Sequence, residues 1–482
     1  MVTFLLVRWE VLAMLKKGLV SGVGVLVLFG ALFGAVLNVP VAGVGGTIYI
    51  RADGSVEPST APISNLNNVI YTFTDNITDP VVIERDNIVV EGTGHAIQGT
   101  GTGTGIDLSY RNNVTLRNLM VRQFNFGIYL NHSTSCAIVE NIVMGNRFEA
   151  IRLYESSNNN ITSNDIIATE TDGIVLYGSS DNKVDANNLT DNYEGIRLYE
   201  SSRNDISKNS ITKNYYGIFL ASSSNNSIFR NNVTANDGNG VSLVWSSSEN
   251  RIVENHIAAN KWCGIYLNAS SNNMIYHNSF VDNAQQTSVN DSVNIWNEGY
   301  PSAGNYWSDY TGEDFYSGSY QNETGSDGID DAPRIIDVNN MDHYPLMGMF
   351  SDFKATSEYY VQTICNSSIS DFQFNGTAIR CDVTGNNDAT GFCRICIPTA
   401  LINAIYKVFV NGTEVSCNLL PCSNETYSYL YFNYMHSTQE VIIISEFPSF
   451  LILPLFMIAT LFVIIVSRRK RFQHQMGPQY MS

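Results

Sequence analysis

The chain is 482 residues long, with 27 basic against 45 acidic residues for a formal net charge of −18, and only 15% of its residues are charged. Neutralising phosphates needs Lys and Arg gathered on a contact face, so this balance argues against a nucleic-acid partner. The length leaves room for two or three domains, and an acidic, Asn- and Ser-rich surface mainly keeps such a chain in solution.

Residues 1–43 read as a secretory signal region. Lys16 and Lys17 precede an apolar run from Gly18 to Leu37, and small residues follow at "VPVAGVGG", the three parts of an export signal with cleavage near Ala42. Residues 44–110 contain "TIYIRADGSVEPSTAPI" and "YTFTDNITDPVVIERDNIVVEGTGHAIQG", short strands broken by turns. They predict an N-terminal cap and the first coils of a larger array.

Residues 111–283 are periodic. A G-I-x-L-like beat recurs at Gly127, Ala150, Gly173, Gly195, Gly217, Gly240 and Gly264, in steps of 23, 23, 22, 22, 23 and 24 residues. Two asparagine columns run between the beats. One holds Asn112, Asn159, Asn182, Asn204, Asn226, Asn250 and Asn273, with Cys136 in place of a missing member. The other holds Asn118, Asn141, Asn164, Asn187, Asn209, Asn231, Asn255 and Asn278. Three short apolar strands per period, with no helical pattern, predict an all-β chain built as a parallel β-helix. Inward Ile and Leu fill its core while alternate residues face solvent. Asn suits the turns because it tolerates left-handed backbone angles, bonds to nearby backbone and stacks along the axis. A leucine-rich repeat of similar length would need many more Leu.

From 284 to 350 the period is lost, as expected of a cap over the open end of the helix. Residues 351–446 alternate in short stretches such as "TAIRCDVTG" and "YKVFVNGTEV", which predict a small β-sandwich. It holds six of the eight cysteines: Cys365, Cys381, Cys393, Cys396, Cys417 and Cys422. Outside the cell these read as a disulfide framework with all connectivities open, Cys417 and Cys422 being the easiest pair to imagine bridged. Cys393-x-x-Cys396 by itself could be a redox or zinc motif, but no βαβ setting or second pair accompanies it. Residues 447–471 predict a transmembrane anchor, "FLILPLFMIATLFVIIV" followed by Arg468, Arg469, Lys470 and Arg471. The basic cluster would hold 472–482 in the cytoplasm and the body outside, at the cell surface. Fourteen N-x-[S/T] sequons from Asn76 to Asn424 fit an exported glycoprotein.

The chain resembles the NosD-like, carbohydrate-binding and sugar-hydrolase (CASH) group of right-handed parallel β-helix proteins, and within it the archaeal cell-surface members. The resemblance rests on "IYIRADGSVEPSTAPI", "TFTDNITDPVVIERDNIVVEG", the cap "NIWNEGYPSAGNYWSDYTGEDF" with "GSDGIDDAPRIIDVNNMDHYPLM", "GFCRICIP" and "SEFPSF". It implies the right-handed β-helix and export. It also brings an association with copper-site maturation, which this sequence does not favour. Its seven His are scattered, and His256 and His277 fall on adjacent coils two columns out of register.

Just before the beats, Glu149, Asp172 and Glu194 occupy one column on three successive coils. Carboxylates stacked about 5 Å apart repel, and such a column needs counter-charges, a metal or shifted pKa values. They are the candidate catalytic residues, because paired carboxylates at about 5 Å or twice that support glycoside hydrolysis. The plainer alternative is a solvated face neutralised by Arg152 and Arg197. Those two arginines, with Tyr129, Tyr154, Tyr177, Tyr199, Phe219 and Tyr266 on outward strand positions, form the candidate ligand-binding set. Phe148, Tyr193, Tyr215 and Trp262 lie around the acidic column. Aromatic rings offer a platform for sugar C–H faces, although β-propensity alone also places them on strands. In the cap, Asp327, Asp330 and Asp331 of "GSDGIDD" could cage calcium through oxygen ligands; Asp at turns also serves the backbone. The leading expectation is an exported, membrane-anchored β-helix that binds carbohydrate or surface glycan without catalysis. The alternatives are a polysaccharide hydrolase or lyase using the acidic column, and a structural envelope spacer.

Overall fold

The computed structural model describes residues 46–387, 389–402 and 405–445. The export signal, the apolar C-terminal run and the tail after it lie outside the described residues. Among the described residues no helix is long and apolar enough to cross a membrane.

Three sheets of twelve, eleven and ten strands wind around one core, parallel throughout except for an antiparallel pair at the N-terminal end of the first two. A single coil shows the path. Glu149–Tyr154 lies on sheet one, Asn160–Thr162 on sheet two and Asp165–Ile167 on sheet three, and the chain returns to sheet one at Asp172–Tyr177. Like residues stack from coil to coil: Ile151, Ile174, Ile196 and Ile218 are successive partners, as are Leu153, Leu176, Leu198 and Leu220. All are fully buried in one continuous cluster that runs the length of the helix. The glycine of the beat answers to space. A Cβ at Gly173 would lie 2.6 Å from the carbonyl oxygen of Gly195 one coil on.

The corners are where the sequence reading needs correcting. At each, one residue takes a left-handed φ: Asn158, Ser163 and Ala168 in one coil, Asp181, Ala186 and Asp191 in the next. The column Asn follows that residue and does not occupy the strained position itself. Ala, Lys and Arg accept the left-handed angle, at roughly 1–2 kcal/mol each. What the Asn supplies is hydrogen bonding. Asn164 donates from its backbone N–H and its Nδ2 to Asn187 Oδ1, both at 2.9 Å, and from Nδ2 to Ile138 O at 2.8 Å.

This unit repeats in three asparagine ladders. One runs from Asn159 through Asn182, Asn204, Asn226, Asn250 and Asn273 to Asn294. A second runs from Asn141 to Asn278 and on to Asn305. The third, Asn192 to Asn283, was not anticipated, nor was a serine ladder from Ser133 to Ser292. Two expected members drop out. Asn141 Oδ1 accepts from Leu119 N, so Leu119 and not Asn118 holds that position. Ala137 pairs with Thr115, which sets Val114 opposite Cys136 and leaves Asn112 outside the column.

The cap ends the ladders. Asn340 Oδ1 accepts from Asn294 N at 2.9 Å and Trp296 Nε1 at 3.1 Å. Asp342 Oδ2 accepts from Asn305 N at 2.8 Å and Trp307 Nε1 at 3.0 Å. Trp307 stacks on Phe280 with ring centroids 4.5 Å apart and closes the core.

Two five-stranded antiparallel sheets follow as a sandwich, from Met349–Lys354 to Gln439–Ser445. It is seated on the helix and its cap. Phe350 stacks on His277 with centroids 3.9 Å apart, and the buried Arg394 donates to Asp327 O at 3.0 Å and Pro301 O at 2.7 Å. Along Thr390–Pro398, Cys393, Ile395 and Ile397 face the sandwich core, while Phe392 joins the cluster against the cap and Arg394 bonds to cap carbonyls. Alternation on a strand therefore sends Cys393 and Cys396 to opposite faces, which removes the paired C-x-x-C reading. Cys417 packs with the sandwich core and Cys422 with the cap cluster, so the bridge pictured across "NLLP" is not the arrangement found. No disulfide joins any of the eight cysteines in this structure.

Replacing Asn340 or Asp342 by Ala orphans two buried donors, at about 1–3 kcal/mol per donor. Thermal melts should show both variants several degrees below the parent, with Asp342→Asn recovering part of the loss. The exposed Glu323→Ala should not shift. Equal melting of Asp342→Ala and the parent would show that the ladder ends carry no stability.

Candidate functional site

The acidic column forms where each sheet-one strand begins. Asp172 and Glu194 are direct partners, and Glu149 follows Phe126 in the same column. The next coil places Tyr216 there. All three carboxyls are nearly buried, with side-chain exposures of 15% for Glu149, 8% for Asp172 and 6% for Glu194. Two outward arginines reach over them. Arg152 Nη1 lies 3.4 Å from Glu149 Oε1, and Arg197 lies 3.7 Å from both Asp172 Oδ2 and Glu194 Oε2.

Three acids and two guanidiniums cannot all be charged and balanced. Burial first, then the neighbouring Asp172, pushes the Glu149 carboxyl up to about 7 against the pull of Arg152. Burial raises Asp172 and Glu194 as well, and Asp172 adds repulsion at Glu194. Glu149 Oε2, Arg152 Nε, Asp172 Oδ1 and Glu194 Oε2 are buried without a hydrogen-bond partner. Buried polar atoms are nearly always paired, so orphans in one cluster mark a place where stability has been given up.

The aromatic set separates into two columns. Tyr129, Arg152, Val175, Arg197, Phe219, Ser242 and Tyr266 form one; Tyr154, Tyr177 and Tyr199 belong to the other. In the second column the rings stack on each other, with centroids 5.1 and 4.9 Å apart and planes within 14° of parallel. Both faces of Tyr177 are thus taken by its neighbours, which leaves its edge and hydroxyl to face outward. In the first column Arg152 lies over Phe126, Tyr129 and Tyr154, and Arg197 over Phe219. Tyr193 and Tyr215 stack at 5.1 Å, with Tyr216 and Trp262 edge-on beside them. Trp262 is half exposed. Phe126 and Tyr216, which bracket the acidic column, were missed in the sequence. The same 22- and 23-residue steps that found the acids would have found them.

Each cap carboxylate gives at least one oxygen to the backbone, while Asp327 Oδ2 and Asp330 Oδ2 are buried without a hydrogen-bond partner. Asp327 Oδ1 accepts from Ile329 N, Asp330 Oδ1 from Ala332 N, and Asp331 from Phe315 N and Tyr316 N. No group of three or more His, Cys, Asp or Glu placed to hold a metal occurs among the described residues. The calcium expectation for Asp327, Asp330 and Asp331 finds no ligand cage among the described residues, because the three carboxylates do not converge on one point.

The sequence profile of the family described as "Periplasmic copper-binding protein (NosD)" matches residues 63–239 and 215–312. No curated protein matches. Among solved structures, the periplasmic alginate epimerase AlgG aligns at 15% identity and a TM-score of 0.34, over 54% of this chain and 82% of that one. ORF18 of Geobacillus virus E2 aligns at 12% identity and a TM-score of 0.35, over 74% of this chain and 69% of its own. DFA-IIIase from Arthrobacter chlorophenolicus A6 aligns at 14% identity and a TM-score of 0.32, over 50% of this chain and 68% of that one.

Copper does not fit the described residues. His256 pairs with Ser279, while His277 is stacked on Phe350 and bonded to Ser302 O at 2.7 Å, so the two His on adjacent coils do not converge. The stacked coils with their ladders, and a profile match across 63–312, make this chain a member of the NosD family of right-handed parallel β-helix proteins.

Proposed function

We propose that this is an extracytoplasmic β-helix protein that binds polysaccharide or surface glycan along the outer face of sheet one. The observation that carries the reading is the cluster of orphaned polar atoms on Glu149, Arg152, Asp172 and Glu194, set among aromatic side chains on consecutive coils. Sugar hydroxyls both donate and accept, so they can satisfy carboxylate oxygens and a guanidinium N–H together, while ring C–H groups pack on aromatics. Arg152 and Arg197, exposed by 26% and 35%, lie over the carboxyls, and a sugar that reaches the oxygens displaces one of them. An extracytoplasmic setting is supported by the family's description and by the signal-like residues 1–43. Tethering through 447–471 rests on sequence.

One observation favours a second reading, acid–base chemistry on the bound glycan. A carboxyl held near neutrality can give and take a proton at ambient pH, and Glu149 is so placed. Glu149 and Glu194 stand two coils apart, about 10 Å between backbones, with Asp172 between them.

The binding test pairs a glycan array with affinity on the best hit. Tyr129→Ala with Phe219→Ala should weaken affinity about tenfold or more and move the melting temperature little, because neither ring belongs to the stacked tyrosine ladder. Affinity equal to the parent's would remove this face as the site. Reducing-sugar release on Glu149→Gln, Asp172→Asn and Glu194→Gln separates the two readings. A binder releases nothing in any form, whereas an enzyme loses turnover by orders of magnitude while still binding.

The cluster also fixes a pH dependence. A carboxyl raised from 4.5 to about 7 on folding binds its proton more tightly in the folded chain. Its stability contribution is full below about 4.5 and lost as pH rises through about 7. Glu149→Gln should therefore melt above the parent at pH 8 and beside it at pH 4. A gain that is the same at both would show that Glu149 titrates normally.

A further inference from the structure

The sandwich holds a thiol pair outside the sheet-one site. Cys365, on Tyr360–Cys365, and Cys393, on Thr390–Pro398, are direct cross-strand partners. Both side chains face the sandwich core and are almost fully buried. Directly opposed residues of antiparallel strands have Cα atoms about 4.5–5.5 Å apart, inside the range a disulfide spans. Both sulfurs point into the same core, where Cys365 Sγ donates to Phe392 O at 3.1 Å and Cys393 Sγ to Arg394 O at 3.8 Å. Cys381 approaches from the facing sheet, while Cys396 lies on the other face of its strand and Cys417 contacts Tyr406 O.

A second feature singles out Cys365. Tyr434 Oη lies 3.3 Å from its sulfur and Ser367 N–H donates to it at 3.4 Å. Tyr434 Oη and Ser367 Oγ are 2.7 Å apart, and Ser367 Oγ is 2.7 Å from His436 Nε2. The imidazole, 9% exposed, ends this chain of hydrogen bonds, with its Nδ1 unpartnered. Gly385 and Gly391 lie against the ring, where a Cβ on either would come within 2.7 Å. A buried thiol thus has donors for its thiolate and a route for its proton. Consistently, the Cys393 hydrogen bond and these donors draw the Cys365 thiol down to about 7.

We infer that Cys365 and Cys393 are the pair that closes to a disulfide, with Cys365 as the attacking thiolate. The step balances as thiol–disulfide exchange with a small disulfide donor such as oxidised glutathione. Cys365 attacks the donor and expels one thiolate; Cys393, on losing its proton, attacks the mixed disulfide and expels the second. One S–S bond forms, one breaks, and two electrons pass to the donor. Because both sulfurs are buried, the donor enters by a local opening of the core that leaves Cys365 beside Tyr434 and Ser367, and the bond that forms then ties the two strands together.

The test uses the purified full chain in detergent, held in glutathione redox buffers just below its melting transition, quenched by alkylation and mapped as peptides. The buffer sets the potential, so the outcome does not depend on where the protein resides or on its glycan. The expected product links the Cys365 and Cys393 peptides and leaves Cys381 and Cys417 alkylated. Reduction should lower the melting temperature by roughly 10 °C, as expected for closing a loop of this size in a small domain. Cys381→Ser should keep the link, and Ser367→Ala should slow its formation without changing the final pairing. Cys365 found linked to Cys381, or Cys365 and Cys393 both alkylated at the most oxidising ratio, overturns the assignment.

Discussion

A solenoid corner turns backbone N–H groups away from both the sheets and the solvent, and each needs an acceptor. The structure depends on how that need is met. An asparagine offers one oxygen that takes both a main-chain and a side-chain N–H, while its own Nδ2 reaches back to a carbonyl of the preceding coil. No coil can satisfy its corners alone; each depends on the next. The arrangement carries a strained left-handed residue at nearly every corner because the hydrogen bonds it secures are worth more than the strain.

Chains of mutual dependence have ends, and the ends explain the rest of the architecture. Asn340 and Asp342 stand one residue apart on the far side of a loop and stop two ladders at once, while each also holds a tryptophan indole. The cap is in turn pinned by Arg394 of the sandwich. Helix, cap and sandwich are therefore linked by polar groups that are buried at each junction.

Much of the helix was legible because its periodicity is written in conspicuous residues. Ile, Gly and Asn recur at fixed steps, and simple counting finds the coils, the core and two ladders. The third ladder was hidden because Thr169 interrupts its asparagines in one coil, and the serine ladder because Ser is common throughout. Asn118 and Asn112 misled because the first coils are slightly out of step, which spacing within a coil does not reveal. The terminators could not be read, since they act across 46 and 37 residues with no period to follow. The cysteine pairing was unreadable for a different reason. Cys417 and Cys422 are near in sequence, but the strand that ends at Leu419 carries Cys417 to the sandwich core while Cys422 packs against the cap, a division that short spacing does not reveal.

The acidic column itself followed from the same counting, together with its arginines, but its chemistry did not. Whether a tyrosine offers its face to a ligand or to another tyrosine depends on rotamers, and regular stacking at the coil spacing closes the faces of Tyr177. The column's charge state depends on the scaffold. In a flexible loop, three neighbouring carboxylates would move apart. Here each backbone position is tied to the coil on either side, so repulsion cannot relax through the main chain and adds to burial in raising the carboxyls of Glu149 and Glu194. On the glycan-binding reading the same rigidity would limit how a ligand enters. With the coils fixed, access to the buried oxygens would require Arg152 or Arg197 to swing aside, exchanging long ion pairs and cation–π contacts for hydrogen bonds to the newcomer. Selectivity at this face would then lie in the balance between those two sets of contacts, and not in any change of fold.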